Sequence, residues 1–170
     1  MPLDFAACAA TIKQVLLDAN TTTASQNLSA SISTGQIDAS NILASDPEVV
    51  AVRMDRLPAL FVRLSDSTPD YVSVGPPGVT SDRVKAMATT HFDIIGLVRK
   101  DGGHQTFETL LTDLYNLARN VEGVFRQGYN LSGTALWCKP AKVQFLATFD
   151  DNGRWTRGFI WDLEVHYNYR

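Results

Sequence analysis

The chain has 170 residues, of which 45% are hydrophobic and 19% charged, with a net charge of −3. That length supports one self-sufficient core without disulfide or metal staples. The acidic balance argues against non-specific nucleic-acid binding, which needs a surplus of Lys and Arg, and no apolar run approaches the ~20 residues of a bilayer span.

Met1-Pro2-Leu3-Asp4 lacks the basic region of a secretory leader, and Lys13 and Gln14 break the apolar run that follows. The sequence therefore predicts an intracellular chain. Phe5, Ala9, Ile12, Leu16 and Ala19 recur at helical spacing behind Asp4, which predicts a capped amphipathic helix over 5–19. Residues 20–47 are rich in Ser and Thr and read as a long loop, with Leu28, Ala30 and Ile32 alternating weakly enough to suggest a short strand. Connections of that length often carry partner contacts, and simple flexibility is the plain alternative.

Val49–Arg53 and Leu57–Leu64 read as strands. The second is nearly all apolar, as in a strand covered on both faces, and Pro58 marks its start or an edge. Tyr71–Val74 is a short strand closed by Gly75-Pro76-Pro77-Gly78, and Phe92–Arg99 is another, leading into Asp101-Gly102-Gly103. Phe107, Leu110, Leu111, Leu114, Leu117, Ala118 and Val121 mark a second helix, with Thr106 as cap and Gly123 past the end.

The clearest pattern closes the chain. Trp155, Phe159, Trp161, Leu163, Val165, Tyr167 and Tyr169 hold one parity, and Arg154, Thr156, Asp162, Glu164, His166 and Asn168 hold the other. This is a strand with one buried and one polar face. Asp151-Asn152-Gly153 supplies a tight turn, and Val143, Phe145, Ala147 and Phe149 precede it. Residues 143–149 and 154–167 are thus expected to pair, with Trp161 buried. The order of elements predicts one α+β domain over 1–170: a mostly antiparallel sheet, two helices packed on one face, and a long C-terminal β-ribbon.

Candidate chemistry is sparse. Cys8 and Cys138 sit on different elements without metal-type spacing and read as reduced packing residues. His91-Phe92-Asp93 places an imidazole and a carboxylate on one strand face, as non-haem iron sites do, with His104 or His166 as a third ligand. A solvated strand face explains the same pair. Asp162, Glu164 and His166 line one face with neighbours ~6.7 Å apart, and they read as a subunit interface or a solvated surface. Asp150-Asp151-Asn152-Gly153 lacks calcium-loop offsets, and Gly102-Gly103-His104 lacks the lysine of a phosphate loop. No catalytic residue, cofactor or metal is predicted.

Taken together, Phe5–Ala19, Leu57-Pro58-Ala59-Leu60-Phe61-Val62, Phe92–Lys100, Phe107–Asn120 and Val143–Tyr169, closing on Leu163-Glu164-Val165-His166-Tyr167, resemble the tail terminator (tail completion) proteins of long-tailed bacteriophages. Residues 20–47 fall outside the resemblance and look like an elaboration. The resemblance implies a structural virion protein and not an enzyme. It implies a homohexameric ring in the tail neck, assembled in the host cytoplasm, that caps the tail tube, stops its polymerisation and offers the head-joining surface. The implied partners are further copies of the chain, the tail tube protein and a head-completion or connector protein, with genomic DNA passing through unbound and no membrane. The expected contact surfaces are Asp162, Glu164 and His166 and the loop 20–47, since neither is needed to fill the core. Rival readings are another neck protein such as a head–tail stopper, a metal-dependent enzyme using His91 and Asp93, and a small-molecule-binding module.

Overall fold

A computed structural model of the chain describes residues 4–21, 24, 26–33, 35–47, 57–65, 70–74, 85–102, 104–127, 131, 135 and 137–169. The sequence-predicted strand over 49–53, the Gly-Pro breaker at 75–78 and Gly103 lie outside them.

Helix α1 spans Phe5–Ala19, as the spacing predicts, with the Asp4 carboxylate accepting from the Ala7 amide. Strand β1 is Ile42–Leu43, β2 Ala59–Leu64, β3 Asp70–Val74 and β4 Lys85–Asp101. Helix α2 is His104–Gln127, followed by β5 Trp137–Phe145, β6 Phe149–Asp151 and β7 Arg154–Tyr169. The described strands form one sheet in the order β1-β2-β4-β7-β5, with β3 also on β4 and β6 also on β7. Only β1–β2 is parallel among these pairs. The fold is α+β with a mostly antiparallel sheet.

The spine is the β4–β7 pair, in register from Ala86–Tyr169 to Asp101–Arg154. Strict alternation on β7 decides the layers. Phe159, Trp161, Leu163, Val165 and Tyr167 are buried with Phe92, Ile94 and Val98 of β4 and Leu60 and Val62 of β2. Both helices lie against this face, through Cys8, Ile12 and Leu16 of α1 and Leu110, Leu114, Leu117 and Val121 of α2. On the other face Leu57, Ala59, Phe61 and Ile95 form a smaller buried cluster. β2 is therefore apolar on both faces, and Pro58 stands just before its first residue.

Gly96 is fixed by its neighbour across β7. A Cβ there would stand 2.3 Å from two ring carbons of the fully buried Phe159. Gly96→Ala is therefore expected to cost about 1–3 kcal/mol, as overpacking does. An unchanged urea midpoint would show that the ring has room to move.

Several sequence expectations are corrected. Residues 28–32 form turns, with the Leu28 amide donating to Ala19 O (2.9 Å) and the Ala30 amide to Asn27 O (3.1 Å); the strand in this region is Ile42–Leu43. The loop 20–47 does help fill the core, for Leu28, Ile32, Ile37 and Ile42 are all buried in the main cluster. Helix α2 begins before Thr106 and runs on through Gly123. A side chain at Gly123 would meet Gln26 Oε1 at 2.6 Å, so this glycine makes room for the loop and does not end the helix. The long C-terminal ribbon is present as expected, with an interruption at 146–148 and a register shift between Pro140 and Lys142. The Asn152-Gly153 turn is as expected, with φ of 52° and 81°.

Candidate functional site

The face of the sheet opposite the helices collects most of the residues that the sequence singles out. Alternation places Thr89, His91, Asp93, Ile95 and Leu97 of β4 on it, opposite His166, Glu164, Asp162, Ile160 and Gly158 of β7. β2 adds Ala59, Phe61 and Arg63, and β5 adds Trp137, Lys139 and Lys142. One half is consequently apolar, with Leu43, Leu97 and Ile160 packed around Phe61 and Ile95. The other half is ionic.

The ionic half is ordered by pairing across strands. Arg63 Nε donates to Asp93 Oδ2 at 3.1 Å, and Arg63 Nη1 lies 3.4 Å from Asp46 Oδ2. Burial opposes the Arg63 charge, and the two carboxylates outweigh it and raise the guanidinium pKa. His91 Nδ1 donates to Asp162 Oδ1 at 2.8 Å. Glu164 takes His166 Nε2 at 2.7 Å on one oxygen and Lys139 Nζ at 3.1 Å on the other. Burial alone pushes the Glu164 carboxyl up; the bonds from His166 and Lys139 prevail and hold it below the usual carboxylate range.

His166 is the most enclosed of the three expected contact residues, its side chain 12% exposed against 19% for Glu164 and 34% for Asp162. Its ring stacks on Trp137 with centroids 3.5 Å apart and planes 18° from parallel. Lys139 Nζ stands 5.2 Å from the centroid of the same indole. With Nε2 committed to Glu164, Nδ1 faces Thr89 Oγ1 at 3.2 Å. Asp162, Glu164 and His166 do share the polar face, as their parity predicts, and each is already partnered within the chain.

His91 and Asp93 also share this face, but they turn to different partners, Asp162 and Arg63. Among the described residues no group of three or more His, Cys, Asp or Glu converges as a metal site. The His104 backbone opens α2, and its side chain lies outside the described features. Arg63, Trp137 and Lys139 escape sequence reading because their places depend on how β2 pairs with β4 and β5 with β7, the latter with a register shift, which no local pattern announces.

On the helix face lies a second polar constellation. Asp113 of α2, 1% exposed, accepts from the Ser33 amide (2.9 Å) and the Ser33 hydroxyl (2.7 Å), and Lys100 Nζ lies 3.0 Å from its Oδ2. Lys100 also bonds the Ser33 hydroxyl. Asn120 donates to Leu28 O (3.0 Å) and Ala30 O (2.8 Å), and Asn116 to Ser31 O (2.8 Å). Residues 28–33 of the loop are thereby fastened to α2. An open cleft of about 510 Å³ lies beside this clamp, lined by Ser31, Ser33, Glu108, Thr112 and Asp113 among others.

Both cysteines are buried and reduced. Burial pushes the Cys138 thiol up to about 12 and raises that of Cys8, which disfavours the thiolate form of both. Among the described residues no helix is long and apolar enough to cross a membrane. No protein-family model matches the chain, and no curated protein matches it in sequence.

Proposed function

We propose that this chain is a tail terminator: a virion protein that closes into a hexameric ring on the end of a phage tail tube, halts its growth and presents the surface that joins the head. The observation that supports the reading is the order of the elements. A capped N-terminal helix, a strand entered through Leu57-Pro58-Ala59, a long strand, an amphipathic helix and a closing β-ribbon follow one another in the plan that the family shares. The helices stand on one side of the sheet, which leaves the ionic half of the other side to face a neighbour. Asp162, Glu164 and His166 are the proposed contact residues there. Their internal pairing offsets much of the cost of desolvating them in an interface. The net charge of −3 suits a ring that DNA traverses without binding.

The test is light scattering across a concentration series, with and without purified tail tubes. The expected result is a hexamer, alone or at tube ends. A chain that remains monomeric at high concentration and ignores tube ends would sink the terminator reading. Assembly that engages a head connector and not the tube would favour a stopper-type neck protein.

A further inference from the structure

The ionic half of the outer face is laid out in rows across β4, β7 and β5. Thr89, His166 and Trp137 make one row, and His91, Glu164 and Lys139 the next. Within these rows three groups form a chain. Thr89 Oγ1 lies 3.2 Å from His166 Nδ1, and His166 Nε2 lies 2.7 Å from Glu164 Oε1. A carboxylate can only accept, and the bonds from His166 and Lys139 keep Glu164 ionised, so the ring carries a proton on Nε2. The neutral ring then has its lone pair on Nδ1, and the Thr89 hydroxyl donates to it. Hydroxyl, imidazole and carboxylate in this order are what make an alcohol nucleophilic.

The imidazole is held on three sides. Trp137 stacks on its plane, Glu164 fixes Nε2, and the register sets Thr89 directly across from it. Other threonines have no such base beside them: Thr11 and Thr112 give their hydroxyls to the helix carbonyls of Ala7 (2.9 Å) and Glu108 (3.0 Å). The strand setting also limits the chemistry. Thr89 pairs with Asp70 of β3 on one side and His166 of β7 on the other. The amides around it are thus spent in the sheet, and little remains to stabilise an oxyanion. An easily expelled leaving group has to make up the difference.

We propose that Thr89, His166 and Glu164 form an acyl-transfer site for activated carboxylic esters, with Thr89 as nucleophile, His166 as general base and Glu164 as positioning residue. Thr89 Oγ1 bonds to the acyl carbon while its proton passes to His166 Nδ1. The ester C–O bond breaks, and the leaving oxygen takes that proton. Water, deprotonated by the same nitrogen, then frees the acid and restores Thr89. This activity is independent of the ring reading and is measured in dilute solution, where no neighbour covers the face.

The probe is p-nitrophenyl acetate at neutral pH, followed by p-nitrophenolate release and by peptide mass spectrometry. Hydroxylamine distinguishes acetyl esters, which it cleaves, from acetylated lysines. Thr89 should be acetylated about a hundredfold faster than Thr11 or Thr112, the lower end of general-base catalysis. His166→Gln should bring it down to their rate, and Thr89→Val should abolish both the label and any turnover. Thr89→Ser should keep the reaction, which separates a lost hydroxyl from a lost fold; circular dichroism checks every variant. In Glu164→Gln the amide offers Nε2 either an oxygen or an N–H, so the ring loses its fixed tautomer. Labelling should fall, and nitrogen NMR should find the ring proton shared between Nδ1 and Nε2. Unchanged labelling and tautomer in that variant would remove Glu164 from the site and overturn the three-residue assignment. Labelling that persists in His166→Gln would make the imidazole a packing partner and overturn the proposal. So would acetylation of Thr89 no faster than Thr11, with no p-nitrophenolate release that depends on Thr89.

Discussion

Asp113→Ala should destabilise the chain by about 3–5 kcal/mol, the range measured when one partner of a buried ion pair is removed. The carboxylate is 2% exposed and Lys100 only 14%. Its loss strands the Lys100 ammonium in poorly solvated surroundings and leaves the Ser33 amide without its acceptor. The effect should reach well beyond α2, because Asp113 joins three parts of the chain: the loop at Ser33, the end of β4 at Lys100 and the helix itself. Asp113→Leu combined with Lys100→Met removes both charges and should recover much of the loss, since the penalty resides in the uncompensated group more than in the bond. Urea unfolding followed by circular dichroism measures both variants. A single-variant loss under about 1 kcal/mol would mean that water reaches Lys100 and that the clamp contributes no more than a surface pair does.

This clamp also marks where the sequence stops being legible. Residues 20–47 look like a solvated linker because their Ser, Thr and Asn content is that of a loop. What fixes them is sequence-distant: Ser33 to Asp113, 80 residues apart, and Leu28 to Asn120, 92 apart. No local pattern encodes those partners. Gly123 misleads for a related reason. Glycine near the end of a periodic run ordinarily stops a helix, but here it admits Gln26 against the helix surface. Where the determinants are local the reading is accurate. Asp4 and the spacing of Ile12, Leu16 and Ala19 give α1 its bounds, and the period of two gives β7 its two faces. The same parity correctly assembles Asp162, Glu164 and His166 on the candidate face, yet it is silent about Arg63, Trp137 and Lys139. Those depend on which strand lies beside which, and in what register. The alternation Val143, Phe145, Ala147, Phe149 shows the limit from another side. It breaks at 146–148, so Phe145 and Phe149 end on opposite faces, both exposed.

Trp161→Ala should cost about 3–5 kcal/mol through lost transfer energy and the cavity left behind. Trp161 lies in the middle of β7, paired with Ile94 of β4 on one side and Val143 of β5 on the other. Its side chain is buried beneath α2, and Nε1 donates to Ala118 O at 2.8 Å. The indole therefore fills the space between helix and sheet and also fixes the position of α2 along the strands. Trp161→Phe keeps most of the apolar volume and removes the donor, so it should lose a smaller amount, about 1–2 kcal/mol, from the hydrogen bond and the reduced ring. The midpoint of guanidinium unfolding should fall in that order with an unchanged slope, because the surface exposed on unfolding is nearly the same. Trp137 and Trp155 remain in both variants, so circular dichroism is the cleaner probe. Trp161 also bears on the candidate face, for its neighbours Ile160 and Asp162 point the opposite way. A cavity beneath the sheet would loosen the strand that presents Asp162 and Glu164. If assembly occurs through this face, Trp161→Phe should assemble normally while Trp161→Ala, even where folded, should need a higher concentration. Equal stability of the alanine variant and the unmodified chain would overturn the assignment of this parity to the core, and with it the assignment of Asp162, Glu164 and His166 to the outer face.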